Sequence, residues 1–185
     1  MAKSKHYTVK FRRKRKGLTN YKKRLELLKS RTTRLVVRRS ERNIVAQFIN
    51  YKENGDNVLF TFKSSGLKKL GWKISTGNIP AAYLTGLQLA TLAKGNVKNA
   101  ILDLGLQRPV AGSRLYAVLK GIIDGGIKVP LDETVFPSEE RLTGTHIQTH
   151  IETNKNSTQF SQYKKDGITT IKPLLEECKK KILGN

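Results

Sequence analysis

The sequence is short of cysteine, of acidic side chains in its first quarter, and of long apolar runs. With Cys178 as the single cysteine, no intrachain disulfide can form, which is typical of a protein in a reducing compartment. The uncharged span Ile74–Ala93 contains Ser, Thr, Asn, Gln and Pro, so we predict a loop and a buried helix rather than a membrane span. No apolar run follows the N-terminal cations, so we expect no signal peptide.

Acidic residues are too few to balance the basic ones, and the imbalance is concentrated near the N-terminus. The net charge is +22, and residues 1–42 hold 17 basic and 2 acidic side chains. Residues 1–16 contain no acid, so they repel one another and are predicted to order only on a polyanion. Nucleic acid or an anionic membrane could supply the phosphates, but the basic region lacks the broad apolar face of a membrane anchor.

A basic helix is predicted after Gly17. Thr19 or Asn20 can cap it, and Tyr21, Leu25 and Leu28 fall on one stripe at helical spacing. We expect that stripe to pack on the rest of the protein, which leaves the cations on the other faces for phosphate groups.

An α/β domain is predicted beyond this helix. Three strand-like runs, 34–39, 43–50 and 58–63, should form an antiparallel meander, with Asn54-Gly55 in the second turn. Two strand and helix alternations follow, with strands at 100–104 and 127–129, so we predict a five-stranded mixed sheet in the order 3-2-1-4-5, as in ribonuclease H-like folds. Apolar residues on both sides of the second strand indicate a sheet covered on both faces.

Three regions are therefore expected. They are a basic tail (1–18), a basic helix with the α/β domain (19–130), and an irregular, helical C-terminal extension (131–185). Within the domain, mid-helix Gly86 predicts close packing of its helix on the sheet. In the extension, Thr170 is a candidate cap for a terminal helix with a basic face.

Motifs for catalysis or metal binding are incomplete, so we expect no enzyme, no metal site and no cofactor. Asp103 and Asp124 lack the further carboxylates of a two-metal nuclease, so capping or ion pairing is the simpler role. His146 and His150 have the spacing of two zinc ligands on a helix, but Ile147 replaces the Glu of a metalloprotease.

Cations and aromatic residues in the N-terminal segment are typical of a protein that binds a folded nucleic acid. We expect Tyr7 and Phe11 to stack on bases or insert between them, whereas Tyr21 and Trp72 fit stacking and simple packing equally well. The cations of the tail should neutralise phosphates; they are Lys3, Lys5, Lys10, Arg12, Arg13, Lys14, Arg15 and Lys16.

Four motifs in order, FRRKRKGLTNYKKRLELLKS, RLVVRRS, GWKISTGNIPAAYLTG and AILDLGLQRP, resemble the large-subunit ribosomal protein eighteen family, in its archaeal and eukaryotic branch. The likeness covers residues 6 to about 147. It implies a non-catalytic protein that binds 5S rRNA and joins it to the 23S-type large-subunit rRNA, beside other proteins of the central protuberance. It also implies a cytoplasmic, ribosomal location and a ribonuclease H-like sheet.

The resemblance further implies which residues face RNA, and these extend the charge-based prediction. They are Arg12, Arg13, Lys14, Arg15, Tyr21, Lys22, Arg24, Arg38, Arg39, Ser64, Ser65, Trp72, Lys73, Thr76 and Asn78. Neither a membrane nor a small-molecule substrate is expected as a partner. Two other functions stay open on the residues alone: a nuclease or recombination enzyme that uses Asp103, and a general nucleic-acid packaging protein.

Overall fold

The computed structural model describes residues 8–153, 163 and 170–184. Within these ranges, four strands and a series of helices follow one another along the chain. They are α1 (Arg12–Arg15), α2 (Tyr21–Lys29), β1 (Arg34–Arg39), β2 (Ile44–Asn50), β3 (Asn57–Lys63), a 3₁₀ helix (Ser64–Leu70), α3 (Ile79–Ala93), β4 (Ile101–Asp103), α4 (Arg114–Asp124), a 3₁₀ turn (Glu133–Val135), α5 (Glu139–Thr143), α6 (Thr145–Thr153) and α7 (Lys172–Leu183).

The strands form one mixed sheet in the order β3-β2-β1-β4. β1, β2 and β3 are antiparallel neighbours, and β4 runs parallel to β1. The predicted meander and the order of the first four strands are therefore confirmed.

The prediction of a fifth strand was wrong for the described residues. At 127–129 the chain forms only an isolated parallel bridge between Asn99 and Lys128. Two hydrogen bonds make it, from the Lys128 amide to the Lys98 carbonyl and from the Ala100 amide to the Lys128 carbonyl, each 3.0 Å long. Pro130 then offers no amide to extend the ladder. The fold is an α/β fold with a four-stranded mixed sheet.

The main core lies between the sheet and helices α3 and α4. Leu35, Val37, Ile44 and Phe48 point to this side and have no exposed surface. The two helices also pack on each other, and α3 is buried over nearly its whole length. Asn78 caps α3 by accepting a hydrogen bond from the Ala81 amide (2.9 Å), and Pro80 occupies its first turn.

Helices α3 and α4 approach closely through glycines. A Cβ atom at Gly86 would collide with the backbone carbonyl of Val118, and one at Gly121 with that of Tyr83. Close packing at Gly86 was expected against the sheet, but the structure places it against α4. The apolar pattern of α3 predicts that the helix is buried, but it does not show whether Gly86 faces the sheet or another helix. The predicted neighbour was therefore wrong.

The opposite face of the sheet carries α2 and the N-terminal segment. Side chains alternate along β1, so Arg34, Val36 and Arg38 point away from the main core. Arg34 and the α2 residue Arg24 both bind Asp56, which places α2 over this face. The expectation that both faces are covered is therefore met for the part of this face near β1.

The predicted packing stripe of α2 was wrong in one position. Leu25 is 58% exposed, and no residue of α2 is fully buried. Its half-buried residues are Tyr21, Arg24, Leu27 and Leu28. Because Arg24 makes the ion pair that orients the helix, the helix turns Leu25 towards solvent.

The C-terminal helix α7 packs on α3 and on the 3₁₀ helix Ser64–Leu70. Its buried residues are Leu175, Cys178 and Ile182, which share one face of the helix. Ile171 rather than Thr170 occupies the N-cap, without a capping side-chain hydrogen bond. Among the described ranges, no helix combines the length and apolar character needed to cross a bilayer.

Candidate RNA interface

The N-terminal segment presents cations on a single helical turn. Residues Arg12–Arg15 form α1, although the sequence predicts no fixed structure there, and all four side chains are exposed. Arg13 Nε donates a hydrogen bond to Thr19 Oγ1 (2.8 Å). Phe11 and Tyr21 contact each other with ring centroids 5.1 Å apart. These two contacts join the basic turn to α2.

Helix α2 continues the cationic surface. Asn20 caps it, because its Oδ1 accepts a hydrogen bond from the Lys23 amide (3.1 Å). Lys22 and Lys23 are exposed. Both the turn and the helix thus offer ammonium and guanidinium groups to solvent, as phosphate binding requires.

A chain of ion pairs holds α2 on the sheet. Arg24 donates two hydrogen bonds to Asp56 (2.8 and 2.9 Å), which also accepts one from Arg34 (2.7 Å). Arg34 then reaches Asp103 (2.8 Å), which also accepts a hydrogen bond from Arg38 (3.1 Å). Arg34 is 2% exposed. The pairs therefore run from the surface to the interior, and the two carboxylates are shared.

The charge of Asp56 is favoured by this arrangement. Burial raises the pKa of its carboxyl, but the hydrogen bonds and positive charges of Arg24 and Arg34 outweigh that effect and lower the pKa below its ordinary value of 3.8. Asp56 therefore stays ionised near neutral pH and keeps the two arginines together.

A groove of about 760 Å³ separates the N-terminal helices from the sheet. Arg13, Lys23 and Arg38 supply cations to its walls, and Leu18, Leu27 and Leu106 supply apolar surface. Asp56 and Asp103 also line it, but each is already paired with arginines. The groove is thus an extension of the basic surface of α1 and α2.

Several residues of the predicted interface have structural partners inside the protein. Trp72 is 1% exposed, and its indole N–H donates to the Ser75 carbonyl (3.1 Å), so packing is the role that the structure favours. The Thr76 hydroxyl donates to the Arg42 carbonyl (2.8 Å), and the buried Ser64 hydroxyl accepts from the Ile44 amide (2.9 Å).

Trp72 and Thr76 thus fix the loop 71–78, and Ser64 fixes the start of the 3₁₀ helix to β2. Within that loop Lys73 and Ser75 are exposed, whereas Asn78 caps α3. Ser65, in the preceding 3₁₀ helix, is half-buried. Arg114 fastens the loop by donating to the Gly77 carbonyl (2.8 Å). Burial and the nearby charge of Arg39 lower the pKa of Arg114.

The two predicted arginines of β1 differ in availability. Arg38 binds the side chain and the backbone carbonyl of Asp103, so much of its donor capacity is used internally. The Arg39 side chain is exposed, and its backbone amide donates to Gln107 Oε1 (3.0 Å). Arg39 is thus the freer cation for an external anion.

The other predicted interface residues are of two kinds: exposed cations, and residues that the structure does not describe. Lys10 and Lys16 are exposed and belong to the same surface as α1. Lys3, Lys5 and Tyr7 lie outside the described residues.

Asp56 and Arg34 were missed as residues that shape the interface. The signal was an arginine in the otherwise apolar run RLVV, because a buried arginine needs a carboxylate. Its partners lie 22 and 69 positions away in the chain, so spacing could not identify them. Asp103 was predicted to cap or to pair, and it pairs.

Metal chemistry finds no support at Asp103, whose carboxylate accepts hydrogen bonds from Arg34, Arg38 and the Gly105 amide. Over the ranges that the structure covers, no group of three His, Cys, Asp or Glu residues could hold a metal ion.

Comparison with known proteins identifies the family of this chain. A family model described as "Ribosomal large subunit proteins 60S L5, and 50S L18" matches residues 5–99 and 91–132. A protein of Korarchaeum cryptofilum named large ribosomal subunit protein uL18 is 48% identical over 172 residues, which cover 90% of this chain and 88% of the relative. The protein of the same name from Methanococcus maripaludis is 44% identical over 192 residues, with both chains fully covered.

Proposed function

Because the chain belongs to the uL18 family of large-ribosomal-subunit proteins, we propose that it binds 5S rRNA and attaches it to the large-subunit rRNA in the central protuberance. As a member of this family it is a structural protein of the ribosome and not an enzyme. It functions in the cytoplasmic ribosome, where it lies beside other proteins of the central protuberance.

The observation that supports this function best is that ion pairs attach the basic N-terminal region to the sheet. Cations of α1 and α2 are exposed, while Arg24 is tied through Asp56 to the buried Arg34. A segment held in this way presents its charges in a fixed direction, which suits a folded RNA of defined shape. Purely electrostatic binding to arbitrary nucleic acid would not need such a support.

The proposal divides the chain as the sequence predicts. Residues 1–18 form the RNA-binding tail, 19–130 the basic helix with the α/β domain, and 131–185 the C-terminal extension. The ribonuclease H-like assignment of the domain is supported by the strand order β3-β2-β1-β4 and by α3 and α4 on one face.

Within this division, exposed side chains are the proposed contacts to RNA. They are Lys10, Phe11, Arg12, Arg13, Lys14, Arg15, Lys16, Lys22, Arg39 and Lys73. Five further residues position the segments that carry these contacts; they are Arg24, Arg38, Ser64, Thr76 and Asn78. The half-buried Tyr21 contributes through its contact with Phe11.

Competition binding separates this function from nucleic-acid packaging. The full-length protein should bind 5S rRNA much more tightly than an arbitrary duplex of equal length at 0.15 M salt. If about ten phosphates are neutralised, log affinity should fall with log salt at a slope of about seven to nine. Equal affinity for both nucleic acids would reject the proposal, and so would a slope of about two.

A further inference from the structure

The structure places a second group of lysines on the other side of the sheet from α2. They belong to the 3₁₀ helix, to the residue that follows Trp72, and to α7. We call them the C-terminal lysine surface, and they are Lys68, Lys69, Lys73, Lys180 and Lys181. All five are exposed.

Helix α7 is fixed to the 3₁₀ helix by specific contacts. Lys181 Nζ donates to the Leu70 carbonyl (3.3 Å), and the Cys178 thiol lies 3.8 Å from the same oxygen. The Ser75 amide donates to the Tyr163 hydroxyl (3.2 Å), which joins the C-terminal extension to the loop 71–78. Lysines that are distant in sequence thereby form one surface.

Among the described residues, no acidic side chain forms an ion pair with this surface. Residues 57–102 contain six lysines and no Asp or Glu. Glu176 and Glu177 are the acids of α7, and in the part of the chain that the structure describes neither forms an ion pair with a lysine of the surface. The surface therefore repels itself unless an external polyanion is present.

The chemistry of the surface points to phosphates rather than bases. Lysine is a flexible point charge without the planar fork of arginine, so it binds phosphate without reading sequence. Trp72, which precedes Lys73 in the chain, is 1% exposed and cannot stack on a base. A folded RNA supplies phosphates at the density that this arrangement requires.

We propose that the C-terminal lysine surface binds the sugar-phosphate backbone of an RNA segment separate from the one held by α1 and α2. The sheet and α3 lie between α2 and α7, which favours a separate RNA segment for each surface. The C-terminal extension thus has a role in RNA binding, and α7 completes a surface that the 3₁₀ helix begins. This inference rests on the proposed function.

The test uses the full-length protein and two triple variants that remove equal charge. One variant carries Lys68→Gln, Lys69→Gln and Lys181→Gln, and the control carries Lys94→Gln, Lys98→Gln and Lys128→Gln, which are also exposed. The affinity of each protein for RNA is measured at several salt concentrations in two experiments. The first measures binding to 5S rRNA, and the second measures binding of the preformed 5S complex to large-subunit rRNA.

In at least one experiment, the surface variant should lower the salt slope by about two and weaken binding about tenfold at 0.15 M salt, while the control keeps the wild-type slope. The experiment in which binding weakens shows whether the surface contacts 5S rRNA or large-subunit rRNA. Equal behaviour of the two variants in both experiments would overturn the proposal. If the wild-type protein showed no preference for 5S rRNA, the proposed function would fail instead, and the comparison of the two variants would still give its own answer.

A double variant, Lys68→Gln with Lys69→Gln, guards against a folding effect, because Lys181 also contacts Leu70. It should retain about two thirds of the change in slope, since each phosphate contributes about 0.7–0.9. A wild-type slope for this double variant would assign the effect of the triple variant to the docking of α7, and would also overturn the proposal.

Discussion

At the scale of single residues, Arg34 connects the interior of the protein to its basic surface. Its guanidinium lies between Asp56 and Asp103, and these carboxylates hold Arg24 and Arg38. A buried arginine is tolerated only when its charge is paired and hydrogen-bonded. The position of α2, and with it the direction of the basic region, therefore depends on two acidic residues.

Loss of the inner carboxylate should destabilise the fold. We expect Asp103→Asn to lower the free energy of unfolding by about 3 kcal/mol, because it leaves the charge of Arg34 buried with one partner fewer. Urea unfolding measures the change. The exposed Glu53→Gln is the control and should change stability by less than about 0.5 kcal/mol. An Asp103→Asn variant as stable as the control would show that the buried pair is unimportant.

The outer carboxylate should make stability depend on pH. The pKa of Asp56 is lower in the folded protein than its ordinary value of 3.8, so its contribution to stability is complete above that value. It is lost as the pH falls through the lowered pKa. The difference in unfolding free energy between wild type and Asp56→Asn should therefore shrink in acid. A difference that is constant from pH 7 to pH 3 would contradict the role of this ion pair.

At the scale of elements, the contact between α3 and α4 is set by two glycines that face the partner helix. Gly86 lies against the backbone of Val118, and Gly121 against that of Tyr83. The Tyr83 hydroxyl also donates to Asp124 at the end of α4 (2.9 Å). Burial, together with the hydrogen bond to this carboxylate and its charge, raises the pKa of Tyr83 above its ordinary range. The helices therefore pack as one layer on the sheet.

Substitution of the first glycine should be costly in spite of helix propensity. Alanine gains about 1 kcal/mol over glycine in an exposed helix interior. At position 86, however, the added methyl group meets backbone atoms that cannot move away, so we expect Gly86→Ala to lose at least about 2 kcal/mol of stability.

Thermal or urea unfolding checks the effect at position 86. The exposed Leu92→Ala on the same helix should have little effect in comparison. A stabilised Gly86→Ala protein would mean that the two helices are separated more widely than the structure places them.

Elements that depend on local patterns could be predicted from the sequence, and elements that depend on distant partners could not. The meander followed from strand periodicity and from Asn54-Gly55. The prediction of a fifth strand rested on the apolar residues Ile127 and Val129. It was wrong because, within the described residues, Lys128 alone of this segment pairs with another strand segment, at Asn99. Leu25 faces solvent because the ion pair of Arg24 with Asp56, 32 positions away, decides the rotation of α2.

The site was predictable to a similar degree. Charge density alone located the basic region, and the ordered motifs led to the family, which the comparisons confirm. The burial of Trp72 was one of two equal alternatives, since an aromatic residue among lysines fits either environment. The shared carboxylates could not be derived, because each pair joins separate strands and turns.

At the scale of the whole molecule, the protein is a sheet with a basic surface on each side. The N-terminal surface is formed by a short turn and a helix mounted through ion pairs, and the C-terminal lysine surface is formed by α7 on the 3₁₀ helix. Such an arrangement suits a protein that holds two RNA segments at once. The net charge of +22 belongs to the whole chain, and each of the two surfaces carries part of it.

The most direct test of the central claim is the affinity for 5S rRNA of the full-length protein and of a version that lacks residues 1–18. No side chain of residues 8–18 is fully buried, so the shortened protein should keep its circular dichroism and its cooperative unfolding. We predict a large loss of affinity and a smaller salt slope, because most of the phosphate-binding cations have been removed. An unchanged affinity in a folded protein would contradict the account.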